Sequence, residues 1–149
     1  MKKIKDIIDS DGNALELWSS LHLSHTPCFA LFLRTFAELV EKQLITPAIN
    51  FKNNNRVVWF QNNSGRVLGG IAYEFIQETL TGWLVLSFTD PEFRGQGINK
   101  LCHDYYEKDC KELGAVQLGS IVNITNQSRI KSAQKVGMVP EYYRMIKKI

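Results

Sequence analysis

The chain has 149 residues, of which 44% are hydrophobic and 22% charged, and a formal net charge of +3. This is a globular composition, and the length favours a single domain, residues 1–149, that buries a core without metal or disulfide cross-links. No apolar run reaches the ~18 residues of a membrane span, no apolar signal region follows Met1, and no dense basic block suits nucleic acid. We therefore expect a cytoplasmic protein. The three cysteines lack Cys-x-x-Cys spacing, so no zinc or redox motif is predicted.

The N-terminal third is predicted to hold one strand and two helices. Residues 2–8 form a short strand that ends in the turn cluster 9–12. Asn13 is suited to cap a helix, whose apolar face consists of Ala14, Leu15, Trp18 and Leu21. A second helix follows Pro27, with an apolar stripe made of Leu33, Phe36, Ala37, Val40 and Leu44.

From residue 56 the hydrophobic period changes from 3.6 to 2, which predicts three consecutive antiparallel strands. They span residues 56–61, 67–77 and 83–89, and the first two are joined by a hairpin turn at 62–65. Gly69-Gly70 in the second strand indicates a bulge or a close backbone approach. The third strand is almost continuously apolar, as buried strands are.

The remaining chain alternates between helices and strands. A helix from Ile98 ends at Gly114, a strand covers residues 116–122, and Asn126 caps a short helix that ends at Gly137. An extended segment, 138–149, comes last. On the first of these helices, His103 lies roughly 140° round the axis from Ile98 and is expected to face solvent.

The segment from Asp90 to Asn99 carries the clearest chemical signal, since it joins a buried strand to a helix. Its two glycines, Gly95 and Gly97, allow backbone N–H groups to form a concave nest at the positive end of the helix dipole. Arg94 and Lys100 add full positive charges. The pattern predicts a phosphate site, the alternative being that the glycines only ease a tight turn. Walker and dinucleotide fingerprints are excluded, because neither Lys-Ser/Thr nor a third glycine follows.

Residues 91–98, Pro-Glu-Phe-Arg-Gly-Gln-Gly-Ile, resemble the pyrophosphate-binding motif of the GNAT superfamily of acyl-CoA N-acyltransferases, Arg/Gln-x-x-Gly-x-Gly/Ala. The stretch from Asn126 to Met138 is similar to a second signature of the family, with Lys135 and Gly137 in register. The resemblance implies an α/β (α+β) GNAT-like fold. Such a fold has a mixed central sheet with antiparallel N-terminal strands, two parallel splayed strands, and helices on both faces.

The resemblance also implies acetyl-CoA as the cofactor and direct transfer of its acetyl group to a primary amine. Backbone groups would pair with the pantetheine arm along Ser87, Phe88 and Thr89. The pyrophosphate would be held by Arg94 and by the main chain of Gly95, Gln96, Gly97, Ile98, Asn99 and Lys100. Asn126 would hydrogen-bond the pantetheine, and the 3′-phosphate would be reached by Arg129, Lys131 or Lys135.

Two departures from the family pattern affect the chemistry. Asn99 stands where the motif ends in Gly or Ala, and it either crowds the phosphates or donates to them. Ala133 stands where the family commonly has the tyrosine that protonates the leaving thiolate, so Tyr142, Tyr143 or solvent would replace that acid. Glu74 and Glu78 are candidates for the general base, against their interpretation as ordinary exposed carboxylates.

The acceptor is not specified by the sequence beyond a small-molecule or peptide amine. His22 and His25 lie in the loop between the first two predicted helices, where this fold usually contacts acceptors. The tail after Gly137 is short, which leaves the acceptor side open or completed by a second subunit in a homodimer. The alternative function is an acyl-CoA-binding sensor or interaction module without turnover, which the replacement by Ala133 keeps open.

Overall fold

The computed structural model describes residues 1–9, 11–45, 55–141, 145 and 147. Within them, six strands form one sheet in the order β1-β2-β3-β4-β5-β6. The strands are β1 (Lys2–Ile8), β2 (Ala14–Ser20), β3 (Arg56–Asn62), β4 (Val67–Ile76), β5 (Thr81–Thr89) and β6 (Gln117–Ser120). The helices are α1 (Phe29–Glu41), α2 (Ile98–Glu112) and α3 (Gln127–Lys135). Neighbouring strands are antiparallel except β5 and β6, which are parallel, so the predicted mixed sheet is confirmed.

The predicted helix after Asn13 is wrong, because this segment is strand β2. The Asp9 carboxylate accepts hydrogen bonds from the backbone N–H groups of Asp11 and Asn13, at 2.9 and 2.8 Å, and Gly12 has a φ of +81°. These contacts turn the chain back into a hairpin with β1. Leu15 and Leu17 are both buried, two residues apart, and Leu17 does not belong to the predicted helical face.

Helices cover both faces of the sheet, as predicted. Leu31 and Phe32 of α1 pack against one face with Trp59 and Phe88, whereas the other face is covered by α2 through Cys102 and Tyr106. The predicted stripe on α1 is correct only in part. Phe36 packs against the core, but the fully buried side chains are Leu31, Phe32 and Thr35, and Leu33 is 40% exposed. Arg34, Glu38 and Glu41 form a polar side of the helix, but the apolar arc is broad enough to include both Leu31 and Leu33, so periodicity alone did not locate the centre of the buried face.

The prediction that His103 faces solvent is also wrong, since its side chain is only 6% exposed. Its ring packs edge-on against Tyr106, with the ring centroids 5.3 Å apart. Gly82 of β5 has no side chain, and a Cβ there would lie 2.5 Å from the Cys110 sulfur of α2. The helix therefore lies close to the sheet, and this close packing draws residues on its flank into the interior.

The three central strands agree with the sequence prediction. The turn at 62–65 is closed by the Asn62 carboxamide oxygen, which accepts from the N–H groups of Ser64 and Arg66. At Gly70 a Cβ would lie 2.5 Å from the Val58 carbonyl oxygen, so the predicted close backbone approach is confirmed.

A bulge in β5 marks the point at which the two parallel strands separate. Tyr73 of β4 pairs with Leu84 and Ala72 pairs with Leu86, so Val85 is an extra residue without an opposite partner. As a result, Leu84 packs on the α2 face and Leu86 on the α1 face. The pairing of β6 with β5 ends at the same place, with Leu84 and Ser120 as the last pair.

The C-terminal part begins with α3, which is capped as predicted: the Asn126 side chain accepts from the Arg129 N–H at 3.2 Å. Gly137 follows the helix with a φ of +88°. Residues 138–141 form no strand, and most of the predicted last segment lies outside the described residues. None of the helices in the described part of the chain combines the length and apolar character that a membrane crossing requires.

Candidate functional site

The loop from Asp90 to Gly97, called the glycine loop below, leads from the end of β5 into α2. Gly95 and Gly97 both have left-handed backbones, with φ of +81° and +76°. A Cβ built on either glycine would meet no described atom within 4 Å, so the space beside them is open. An L side chain at these positions would both strain the backbone and fill this space.

The first turn of α2 offers unsatisfied backbone donors to that space. Gly97 is the N-cap residue, no side chain caps the helix, and the first turn contains no acidic residue. Lys100 lies in this turn instead, exposed and without an ion pair among the described residues. A cation at a helix N-terminus is unfavourable unless an anion is bound there, so the charge pattern suits a phosphate.

Asn99 contacts the protein through its carboxamide oxygen. That oxygen accepts a hydrogen bond of 3.0 Å from the Thr89 hydroxyl. The contact ties the end of β5 to the first turn of α2, which is how the larger side chain is accommodated where the family motif has Gly or Ala.

The glycine loop is anchored by ion pairs to two other elements. The Arg66 guanidinium contacts the carboxylates of Asp90 at 3.2 Å and Glu92 at 2.9 Å, and Arg34 of α1 lies 3.7 Å from Asp90. Burial by itself would raise the pKa of Asp90, but the Glu92 N–H and the Arg66 guanidinium hold that pKa below its usual range. Asp90 also accepts from the Glu92 N–H at 3.0 Å, which shapes the short 3-10 turn at Pro91–Phe93.

Arg94 is paired within the protein. Its two terminal nitrogens donate to the two carboxylate oxygens of Glu38 on α1, at 3.3 and 3.1 Å. Arg94 and then Lys42 lower the pKa of Glu38 to about 2. The guanidinium is therefore neutralised by a bidentate partner, and α1 is linked to the glycine loop.

An unpaired strand edge runs from the bulge to the glycine loop. Beyond Leu84, no strand of the described residues pairs with the side of β5 that faced β6. The stretch from Val85 to Thr89 is about 13 Å long at the usual rise of a strand. Along it, Ser87 and Thr89 lie on the α2 face, while Phe88 is buried edge-on against Phe32 of α1. Free backbone groups of this kind can receive an extended ligand.

Helix α3 brings further predicted residues to the α2 face. Asn126 uses its carboxamide oxygen in capping, which leaves its NH2 group to donate. Arg129 is half-buried beside His103 and Tyr106, and burial lowers its pKa. Ala133, one turn further on the same side, is buried, whereas Lys131 and Lys135 are exposed.

The candidate bases lie at different distances from the end of the β5–β6 pairing. Glu74 is half-buried on β4, on the same α1 face of the sheet as Ala72. It pairs with Trp83 of β5, which precedes Leu84, the last β5 residue that pairs with β6. Glu78 lies in the exposed turn before β5, at the end of that strand remote from the glycine loop. Tyr142 and Tyr143 lie outside the described residues. His22 and His25 are exposed, with ring centroids 5.9 Å apart.

The glycine loop therefore adjoins the free edge of β5 and the first turn of α2, and Arg129 of α3 lies near His103 and Tyr106 in the middle of α2. The surface between these residues is called the groove below. Sequence reasoning missed Glu38 and Arg66, which bind the charges of the loop, and His103, which lies next to Arg129. Arg94 and Glu38 are 56 positions apart in the chain, and Arg66 and Asp90 are 24 positions apart, so no local sequence pattern indicates these ion pairs. The burial of His103 depends on how closely α2 approaches the sheet.

Several crystal structures share this fold. An aminoglycoside acetyltransferase from an uncultured soil metagenomic sample, in complex with sisomicin, has 17% identity and a TM-score of 0.63 over 89% of this chain and 97% of its own. The ribosomal-protein-alanine N-acetyltransferase of Brucella melitensis biovar Abortus 2308 has 14% identity and a TM-score of 0.65, over 91% and 99%. The aminoglycoside N-acetyltransferase AAC(6')-Iy, in complex with CoA, has 15% identity and a TM-score of 0.65, over 93% and 96%.

Sequence comparison reaches the same family. Among curated proteins, none matches the chain significantly. The sequence profile of the Acetyltransferase (GNAT) family matches residues 18–138, which include β3 to β6, all three helices and the glycine loop. Acetyl-CoA is the cofactor of the acetyltransferases in this family. The chain belongs to the GNAT family of acetyltransferases.

Proposed function

We propose that the protein is an acetyl-CoA-dependent N-acetyltransferase that passes the acetyl group directly to a primary amine. One observation carries the proposal: two left-handed glycines open onto empty space at the uncapped start of α2, beside the free edge of β5. This arrangement suits a ligand that has phosphates at one end and an extended amide chain at the other.

The residues present fit coenzyme A. Backbone N–H groups from Gly95 to Lys100 would hold the pyrophosphate, with the Lys100 ammonium adding charge. Backbone groups of Ser87 to Thr89 would pair with the pantetheine arm, and the Asn126 NH2 group would donate to it. Lys135, exposed on α3, stays the candidate for the 3′-phosphate. When bound, the cofactor supplies an acetyl group activated as a thioester.

The acceptor must react as a neutral amine, because an ammonium has no lone pair, so the chain must supply a base that removes its proton. We propose Glu74 as the base that takes the proton, directly or through a water molecule. It lies next to the last β5–β6 pair, where the groove ends, whereas Glu78 lies in the turn before β5. The base would therefore act from the α1 face, with the cofactor held on the α2 face.

The test measures thiol release from acetyl-CoA with a panel of amines. The panel includes aminoglycosides and peptides with a free N-terminal alanine, since similar folds belong to enzymes named for these acceptors. With an active acceptor, Glu74→Gln should lower kcat by ~10²–10⁴-fold, the usual contribution of a general base. Glu78→Gln is the matched control and should leave kcat within a factor of two or so.

The outcomes separate the two functions. Thiol release with any amine supports the transferase. If coenzyme A stabilises the protein but no amine in the panel releases thiol, the protein is an acyl-CoA-binding module instead. Equal losses in Glu74→Gln and Glu78→Gln would remove Glu74 as the base. A homodimer and a cytoplasmic location stay predictions of the sequence.

A further inference from the structure

Arg129 of α3 is a cation whose charge is balanced by no carboxylate of the described residues. Its side chain is half-buried, yet no carboxylate of the described residues forms an ion pair with it. The other arginines near the groove, Arg34, Arg66 and Arg94, all contact carboxylates. A desolvated guanidinium without an anionic partner is costly, so the position of Arg129 indicates an anion that the described residues do not supply.

A second unpartnered polar group lies beside it. His103 is 94% buried by its neighbours, and its Nε2 atom has no hydrogen-bond partner in the described part of the chain. Buried ring nitrogens are normally satisfied. Arg129 on α3 and His103 on α2 are close enough for the guanidinium to influence the imidazole, so both unsatisfied groups belong to one spot between the two helices.

The fold places this spot near the point where β5 and β6 separate. Tyr106, which also senses Arg129, donates a hydrogen bond of 2.7 Å to the Gly82 carbonyl, and its ring packs on Tyr73, the partner of Leu84. His103 and Tyr106 follow the first residue of α2 by five and eight positions, which corresponds to about 8 and 12 Å of helix. Arg129 therefore lies beside the middle of α2, away from the N–H groups of the first turn that suit the pyrophosphate.

We propose that Arg129 stabilises the thiolate of coenzyme A as it leaves, an inference that rests on the proposed function. The amine nitrogen bonds to the acetyl carbon, the carbon–sulfur bond breaks, and its electron pair stays on sulfur. The proton lost by the amine passes to Glu74 or water, and the thiolate later takes a proton from solvent. A guanidinium stays charged throughout and acts as an electrostatic partner, so no acid is needed at the buried Ala133.

The test titrates the thiol of bound coenzyme A by its thiolate absorbance and needs no acceptor. We expect the wild-type complex to lower the thiol pKa from about 8.5 to about 7.5, because an adjacent cation favours the thiolate. Burial lowers the pKa of His103, with Glu107 and Asp104 opposing and Arg129 adding to the decrease, so the imidazole is neutral across this range. The Tyr106 hydroxyl is neutral as well, since burial raises its pKa.

Variants distinguish this role from a structural one. Arg129→Gln should return the pKa of the bound thiol to about 8.5, Arg129→Lys should retain part of the decrease, and Lys108→Gln, exposed on α2, should change nothing. An unchanged thiol pKa in Arg129→Gln overturns the proposal.

A second measurement compares coenzyme A with 3′-dephospho-coenzyme A. We expect Arg129→Gln to change the affinity for both by the same factor, because Arg129 does not contact the 3′-phosphate. A loss confined to coenzyme A overturns the proposal in favour of a phosphate contact. Failure of the wild-type protein to bind coenzyme A at all would overturn the proposed function and this inference together.

Discussion

Carboxylates of the protein balance the arginine charges at the glycine loop, whereas no carboxylate of the described residues balances the arginine between α2 and α3. Arg66 contacts Asp90 and Glu92, and Arg94 is bidentate with Glu38. Arg129, in contrast, has no carboxylate among the described residues. The loop therefore presents backbone N–H groups on a frame held by ion pairs, and the α2–α3 contact presents a side-chain cation. The difference teaches that the arginine of the glycine loop is structural, while the arginine on α3 is available to a ligand.

The largest effect is expected from the backbone of the glycine loop. Coenzyme A should stabilise the wild-type protein by about 2.7 kcal/mol at 100 times Kd. Gly97→Val should abolish this gain, because its Cβ and methyl groups would fill the open space beside the first turn of α2. The measurement is the shift in Tm with saturating coenzyme A.

The control for Gly97→Val is Gly65→Ala. Gly65 has a similar φ of +85° and equally open surroundings, but lies in the β3–β4 turn. Both variants should lose roughly 1–2 kcal/mol from backbone strain, and only Gly65→Ala should keep the full stabilisation by coenzyme A. A Gly97→Val protein that still gains stability would contradict the assignment of this loop to phosphate.

A smaller loss of coenzyme A affinity is expected when Lys100 is replaced, and a still smaller one when Arg94 is replaced. Lys100→Ala should weaken coenzyme A binding about fivefold, corresponding to roughly 1 kcal/mol, and less at high salt, as expected for an exposed cation. Arg94→Ala should cost less than Lys100→Ala, because Glu38 already neutralises the guanidinium. Titration of both variants at two salt concentrations measures the difference. A larger and more salt-sensitive loss in Arg94→Ala would show that Arg94 exchanges Glu38 for phosphate.

The smallest effect is the contribution of the ion pair between Arg94 and Glu38 to the free energy of unfolding. Because Arg94 and Lys42 lower the pKa of Glu38 from 4.5 to about 2, the pair contributes stability above pH 4.5 and loses it as the pH falls toward 2. The groups are partly exposed, so the contribution should be only about 0.5–1 kcal/mol. Denaturant unfolding of Glu38→Gln across this pH range should lack that part of the slope. Glu41→Gln, exposed on the same helix, should unfold like the wild type.

Some parts of the fold and site were predictable because their signals are local. The three central strands and the turn at 62–65 follow from alternation and turn residues, and Asn126 and Gly137 bound α3 as expected. The strand at 14–20 was predicted as a helix, because the apolar pattern of this segment is ambiguous. The spacing of Leu15 and Trp18 fits a helix, while that of Leu15 and Leu17 fits a strand. Its state was decided by pairing with β1 and β3, which the segment itself does not encode.

The sequence by itself determined the glycine loop, its place between a buried strand and a helix, and the order of strands and helices from residue 56 to residue 137. These depend on residues next to one another, where glycine conformation and hydrophobic period act directly. The tertiary structure decided which charges are paired. Arg94 pairs with Glu38 of α1, 56 residues away in the chain, whereas Arg129 lies near His103 and pairs with no carboxylate of the described residues. Charge pairing acts through space, so only the packing of α1, α2 and α3 could distinguish the paired arginine from the unpaired one.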